Sequence, residues 1–180
     1  DFGTPLRPEN AIPYMNQKGL VDREGKPKDA FYVFKSYWSD DPFAYIESHT
    51  WTERQGPEGK SRDISVYSNC PEVELFLNGK SLGTKKRNTL DFPAAGLNWT
   101  VNFVNGENNL KAVGITKDGK QVNDELLINY RFVKNEKARS LKLEYNALED
   151  DNYLVTVTAI DKNGLRCLDY EERVYFQCLN

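Results

Sequence analysis

The segment from Asn69 to Gly83, Asn-Cys-Pro-Glu-Val-Glu-Leu-Phe-Leu-Asn-Gly-Lys-Ser-Leu-Gly, leaves the chain few choices of fold. Val73, Leu75 and Leu77 alternate with Glu72, Glu74 and Phe76, the period-two pattern of a strand buried on one face. Asn78-Gly79 follows at once, and this pair tolerates the positive φ angles that a two-residue hairpin turn needs. The chain is therefore expected to double back through Ser81, Leu82 and Gly83. No group in this hairpin is arranged for catalysis. It is scaffold, and function has to be sought at the edges of the chain.

Similar signals recur on both sides of the hairpin. Phe43, Tyr45 and Ile46 begin a strand after Asp40-Asp41-Pro42, and Ile64, Val66 and Tyr67 form another. Leu97, Trp99, Val101 and Phe103 alternate strictly with Asn98, Thr100 and Asn102. Asn105-Gly106 precedes a strand through Leu110, Ala112 and Ile115, and Lys117-Asp118-Gly119-Lys120 turns it into a last one from Val122 to Phe132. About seven short strands separated by turn clusters predict a mainly β domain, a two-sheet antiparallel β-sandwich, over residues 41–134. Val73, Leu75, Leu77, Trp99, Val101, Phe103 and Ile115 are expected to face one core.

After Lys134-Asn135-Glu136-Lys137 the pattern restarts with Leu141 and Leu143, then Leu154, Val155, Val157 and Ile160. The Asp161-Lys162-Asn163-Gly164 turn and a strand through Val174 and Phe176 follow. Residues 135–180 are too few for a whole domain of this kind, so a partial second sandwich is expected.

The start of the chain differs. Pro5, Pro8, Pro13 and Pro27 stand among Gly3, Gly19 and Gly25, a density that forbids a long helix and predicts loop with at most one short strand. Ala30, Val33, Phe34, Tyr37 and Trp38 then recur at helical spacing, with Pro27 placed to open the first turn. So short a helix needs a packing partner.

Composition excludes several classes. The 180 residues, 39% of them hydrophobic and 12% aromatic, can fill a core. A net charge of −3 argues against a nucleic-acid partner, since neutralising phosphates needs a basic surface. No apolar run approaches the roughly 20 residues that span a bilayer, so no membrane partner is expected, and no signal peptide is evident. The chain opens at Asp1-Phe2-Gly3 without an initiator methionine and reads as a piece of something longer. Cys70, Cys167 and Cys178, with His49 as the single histidine, lack zinc-site spacing, and buried free thiols are favoured over a Cys167–Cys178 disulfide. No metal or cofactor is called for.

Other local motifs are better explained structurally. Gly59-Lys60-Ser61 and Gly79-Lys80-Ser81 end like a phosphate loop but lack its earlier glycine. Glu72 and Glu74 lie on an open strand face rather than across a cleft, so a solvated face is favoured over a glycosidase pair. His49 is expected to be a hydrogen-bonded structural residue, and Trp51 to pack in a core or between domains rather than serve as a sugar platform. The sequon Asn98-Trp99-Thr100 falls mid-strand and is discounted.

The first 38 residues carry a resemblance. Asp1-Phe2-Gly3-Thr4-Pro5, Asn16-Gln17-Lys18-Gly19-Leu20-Val21-Asp22-Arg23, Lys26-Pro27-Lys28-Asp29-Ala30-Phe31 and Tyr37-Trp38 resemble the end of the catalytic barrel in glycoside hydrolase family 2, the β-galactosidase and β-glucuronidase family. The hairpin resembles the immunoglobulin-like domain that follows the barrel in many bacterial members. This implies that residues 1–40 are a loop-plus-helix remnant of a (β/α)8 barrel, downstream of both catalytic glutamates. No catalytic residue is then expected in this chain. The implied partners are the missing barrel and the parent enzyme's carbohydrate substrate.

Asn16 and Lys18 match an Asn-x-Lys triplet that binds the substrate carboxylate in β-glucuronidase members. Similar triplets occur in galactosidase-like members, and a purely structural role at the barrel mouth stays open. The resemblance also suggests a periplasmic or secreted setting. With the barrel absent, the Phe34, Tyr37 and Trp38 face is expected to fold onto the first sandwich or pair with a second copy. The function expected is that of a non-catalytic C-terminal portion of a bacterial glycoside hydrolase, and the alternative is a stand-alone carbohydrate-binding or adhesion module.

Overall fold

The computed structural model describes residues 1–6, 12–133, 136–148, 152–167 and 170–177. Contacts between Cα atoms divide the chain into two compact units, Asp1–Phe132 and Val133–Asn180.

The first unit opens with two short paired strands, β1 (Phe2–Gly3) and β2 (Met15–Asn16), where loop with at most one short strand was expected. Helix α1 (Asp29–Trp38) follows. Its N-cap is Lys28, so Pro27 precedes the helix rather than opening its first turn. Eight strands complete the unit: β3 (Ala44–Ile46), β4 (Glu53–Gly56), β5 (Arg62–Ser68), β6 (Glu72–Leu77), β7 (Lys80–Lys86), β8 (Asn98–Val101), β9 (Gly106–Ile115) and β10 (Gln121–Phe132). They form a five-stranded sheet, β4-β10-β9-β6-β7, and a three-stranded sheet, β3-β5-β8. Every pairing is antiparallel except that of β4 with β10, which is parallel.

The core lies between these sheets. Ile46, Ile64, Val66, Trp99 and Val101 from one meet Val73, Leu75, Leu110, Ala112, Leu126 and Ile128 from the other, all buried. Burying apolar surface is what holds two such layers together, at roughly 25 cal/mol per Å2 removed from water. Phe103 is buried beside them and Leu77 packs at the margin, as the alternation predicted. Ile115 does not belong to this core. On β9 the inward positions are Leu110 and Ala112, so the period of two places Ile115 on the opposite face.

The hairpin forms as expected, with Leu77 opposite Lys80 and both turn residues at positive φ, Asn78 at 52° and Gly79 at 77°. The register then slips between Glu74 and Phe76, and Gly83 takes φ 93° on the facing strand. A bulge of this kind suits glycine, which has no Cβ to clash. The Gly83 carbonyl accepts the Trp99 indole N–H at 3.1 Å, tying β7 to the other sheet. Asn108, fully buried, earns its place by accepting from the Val104 amide and donating to the Val104 and Gly106 carbonyls.

Helix α1 seats on the sandwich through one side. Val33 packs with Tyr67 and Ala94, and Tyr32 stacks on Tyr45 with ring centroids 3.6 Å apart. Asp29 clamps the first turn by accepting from the Tyr45 hydroxyl at 2.9 Å and the Ser48 amide at 2.8 Å. Tyr37 lies against Phe92 and beneath the Arg87 guanidinium. Phe34 and Trp38 point elsewhere, lining an apolar hollow of about 450 Å3 with Leu20 and Phe31. Trp38 is 75% exposed. The expected single face is therefore two: each residue turns roughly 100° about the axis, which separates Phe34 and Trp38 from the seated side.

In the second unit β11 (Ser140–Ala147) and β12 (Tyr153–Ile160) form an antiparallel hairpin. Leu141, Leu143, Tyr145 and Val155 are exposed on it. Asp161 is buried at the following turn, where the amides of Glu136, Asn163 and Leu165 donate to its carboxylate. These bonds, that from Glu136 foremost, hold its pKa below the usual carboxylate value. Residues 170–177 form no strand, contrary to the reading of Val174 and Phe176. Cys70 and Cys167 are buried free thiols, while Cys178 lies outside the described residues.

Candidate functional site

Asn16 ends β2, and its side-chain oxygen accepts from the Lys18 amide at 2.9 Å. Lys18 is exposed and forms no ion pair among the described residues. The strap that carries them is fixed from behind: Gly19 donates to Asp1 at 3.3 Å, and the Lys28 ammonium bonds both the Asp1 carboxylate and, at 2.8 Å, the Gln17 carbonyl. Asp22 closes the next turn by accepting from the amides of Glu24 and Lys26. An amide donor and an ammonium two residues apart can receive a carboxylate, since charge-assisted hydrogen bonds are the strong ones. They cannot by themselves break a glycosidic bond.

The remaining sequence candidates resolve structurally. His49 bonds Asp124 through Nε2 at 2.7 Å and stacks on Tyr45, as expected of a structural histidine. The same Asp124 carboxylate accepts the Ile46 amide at 2.7 Å. Glu74 accepts from the Ser81 hydroxyl and Glu72 lies 3.6 Å from Lys86, both on the hairpin surface. Among the described residues, no three His, Cys, Asp or Glu side chains group to hold a metal. Among the described residues, no helix is long and apolar enough to cross a membrane.

Trp51 departs from expectation. It is 59% exposed rather than packed away, and the Arg54 guanidinium lies 5.1 Å from its ring. Arg54 itself is on β4, a strand the sequence does not announce. Thr52-Glu53-Arg54-Gln55-Gly56 has no apolar alternation, because its inward positions hold Arg54 and Gly56. Burial, opposed by the charge of Glu47, lowers the pKa of Arg54; the guanidinium nevertheless remains cationic.

A domain family described as "Domain of unknown function (DUF4982)" matches residues 59–123. A Formosa agariphila protein named "Putative beta-glucuronidase" is 77% identical over all 180 residues, which make up 22% of its own length. A Bacteroides ovatus β-galactosidase is 31% identical over 160 residues, 88% of this chain and 18% of that protein. The solved apo structure of Bacteroides uniformis β-glucuronidase 3 superposes with a TM-score of 0.73 at 49% identity, covering 94% of this chain and 22% of that one. This chain is a relative of the family 2 β-glucuronidases and β-galactosidases. It spans about a fifth of the length of the family members it matches. The mainly β fold read from the sequence is thus the fold of the corresponding part of these glycosidases.

Proposed function

We propose that this chain is the non-catalytic, β-sandwich portion of a bacterial glycoside hydrolase whose parent enzyme cleaves O-glycosyl bonds of a carbohydrate substrate. The observation that carries this is the 77% identity over all 180 residues to a protein named "Putative beta-glucuronidase" of which they form 22%. Residues 1–40 would be the end of the barrel, 41–134 the supporting sandwich and 135–180 the opening of a second. The exposed apolar side chains of β11 and β12 support the last assignment, because a lone two-stranded hairpin is marginal in water.

Asn16 and Lys18 reach the substrate in this reading. Lysine and an amide suit a uronate carboxylate better than a neutral hydroxymethyl group. In the intact enzyme, Lys18→Ala forfeits a charge-assisted bond of roughly 1.5–3 kcal/mol, on the order of ten- to hundredfold in kcat/KM on glucuronides, while neutral galactosides are hardly affected. The measurement is the ratio of glucuronide to galactoside kcat/KM in wild type and variant. An unchanged ratio removes Lys18 from the substrate site.

The hollow beside Phe34 and Trp38 is covered in the parent enzyme and, in the isolated chain, is the surface through which two copies associate, since apolar patches of this kind seldom stay wet. Sedimentation of the chain should then show a dimer that Trp38→Glu converts to monomer. A wild-type monomer at all concentrations refutes the association.

A further inference from the structure

Arg54 is only 8% exposed, yet no carboxylate pairs with it among the described residues. Its Nε donates to the Trp51 carbonyl at 2.8 Å and one terminal nitrogen donates to the Ser48 carbonyl at 3.3 Å. A guanidinium carries five N–H donors, so these two bonds leave part of it unused. The carboxylates of Glu47 and Asp29 act on its charge from nearby without bonding it directly, so its remaining donors are not taken up by an ion pair.

Arg54 lines a cleft of about 290 Å3 at the β4 edge of the sandwich. Arg62 lines it too, fixed by donating to the Tyr130 hydroxyl at 3.1 Å. Gly56 makes that arrangement feasible: a Cβ there would overlap the Arg62 guanidinium and the Tyr130 oxygen. Trp51, largely exposed, also lines the cleft. Two carboxylates also line the cleft, and both are engaged by neighbours. Glu47 accepts from the Ser65 amide at 2.9 Å and from the Tyr67 hydroxyl, and Asp63 accepts from the Thr100 hydroxyl at 2.8 Å.

We propose that this cleft binds an acidic monosaccharide unit, its carboxylate received by Arg54 and Arg62 and its ring stacked on Trp51. Planar guanidinium groups match carboxylate geometry, and indole faces suit the C–H face of a pyranose. The volume is at the small end of ligand clefts, roughly 300–1,000 Å3, and fits one ring rather than a long oligosaccharide. An inward charge on β4 would also discourage edge-to-edge pairing of the sheet, but that role calls for neither a second arginine, nor the Gly56 gap, nor an exposed tryptophan. The site is built from residues of the sandwich other than Asn16 and Lys18 and is read on the isolated chain. Its failure therefore leaves the glycosidase reading standing, and the reverse also holds.

The test is an NMR titration of the 15N-labelled 180-residue chain, following the Trp51 indole N–H assigned by its loss in Trp51→Phe. Methyl β-glucuronide is expected to shift this signal saturably in the millimolar range. Methyl β-glucoside and acetate should bind at least tenfold more weakly. Arg62→Gln, a half-buried position, should weaken glucuronide binding at least tenfold while a cooperative thermal melt is retained. Equal response to the neutral sugar, equal response to acetate, or no saturable shift with glucuronide overturns the proposal. Should the variant fail to fold, the three-ligand comparison on the wild-type chain decides alone.

Discussion

Tyr67 shows how far a single side chain's environment can be turned into an observable. It is buried against α1 and bonded to Glu47, and burial first, then the nearby Glu47 and Asp29 charges, push its pKa up to about 12. An unfolded tyrosine titrates near pH 10. Above about pH 10 the unfolded chain releases a proton that the folded chain keeps, so stability is fully present below that pH and is lost as pH rises towards 12. Tyr45, raised by burial and by its bond to Asp29, adds in the same direction. Urea midpoints should therefore fall between pH 10 and 12, and fall less steeply in Tyr67→Phe. Identical slopes for the two proteins would deny Tyr67 its part. At this scale the sequence was least informative: it could announce neither the Tyr32–Tyr45 stack nor the Asp29 clamp, because both join residues distant along the chain.

Among the elements, β6 makes the strongest claim on the core. Leu75 is fully buried opposite Ala112 of β9, so Leu75→Ala removes buried methyl groups and leaves a cavity. The expected cost is roughly 2–5 kcal/mol, read as a lower urea midpoint with an unchanged slope. A loss below about 0.5 kcal/mol, the range of surface substitutions, would place this strand outside the core. The strands β5, β6, β8 and β10 were legible in the residues because one face of each is apolar, whereas on β9 Leu110 and Ala112 were placed correctly and Ile115 was not. Strand β4 was not legible, since arginine and glycine hold its inward positions and its ladder comes from parallel pairing with β10. The cleft at that edge escaped notice for the same reason. Asn16 and Lys18 are proposed from the resemblance alone, and the structure shows the Asp1 and Lys28 supports that hold their strap. On α1, helical periodicity gave the apolar positions but not their division between a seated side and an open one.

The whole molecule joins a helix-bearing lead segment to a sandwich and then to a second unit whose hairpin leaves apolar side chains exposed. Such an arrangement suits a part that supports chemistry performed elsewhere. Glycoside hydrolysis needs an acid and a second carboxylate placed on either side of one bond, and positioned groups of this kind supply most of the barrier reduction. The direct measurement is the rate at which the purified 180-residue chain, its folding verified by a cooperative melt, hydrolyses p-nitrophenyl β-glucuronide and β-galactoside. No turnover above buffer is predicted for either substrate. Sustained turnover proportional to the concentration of folded chain would contradict the account.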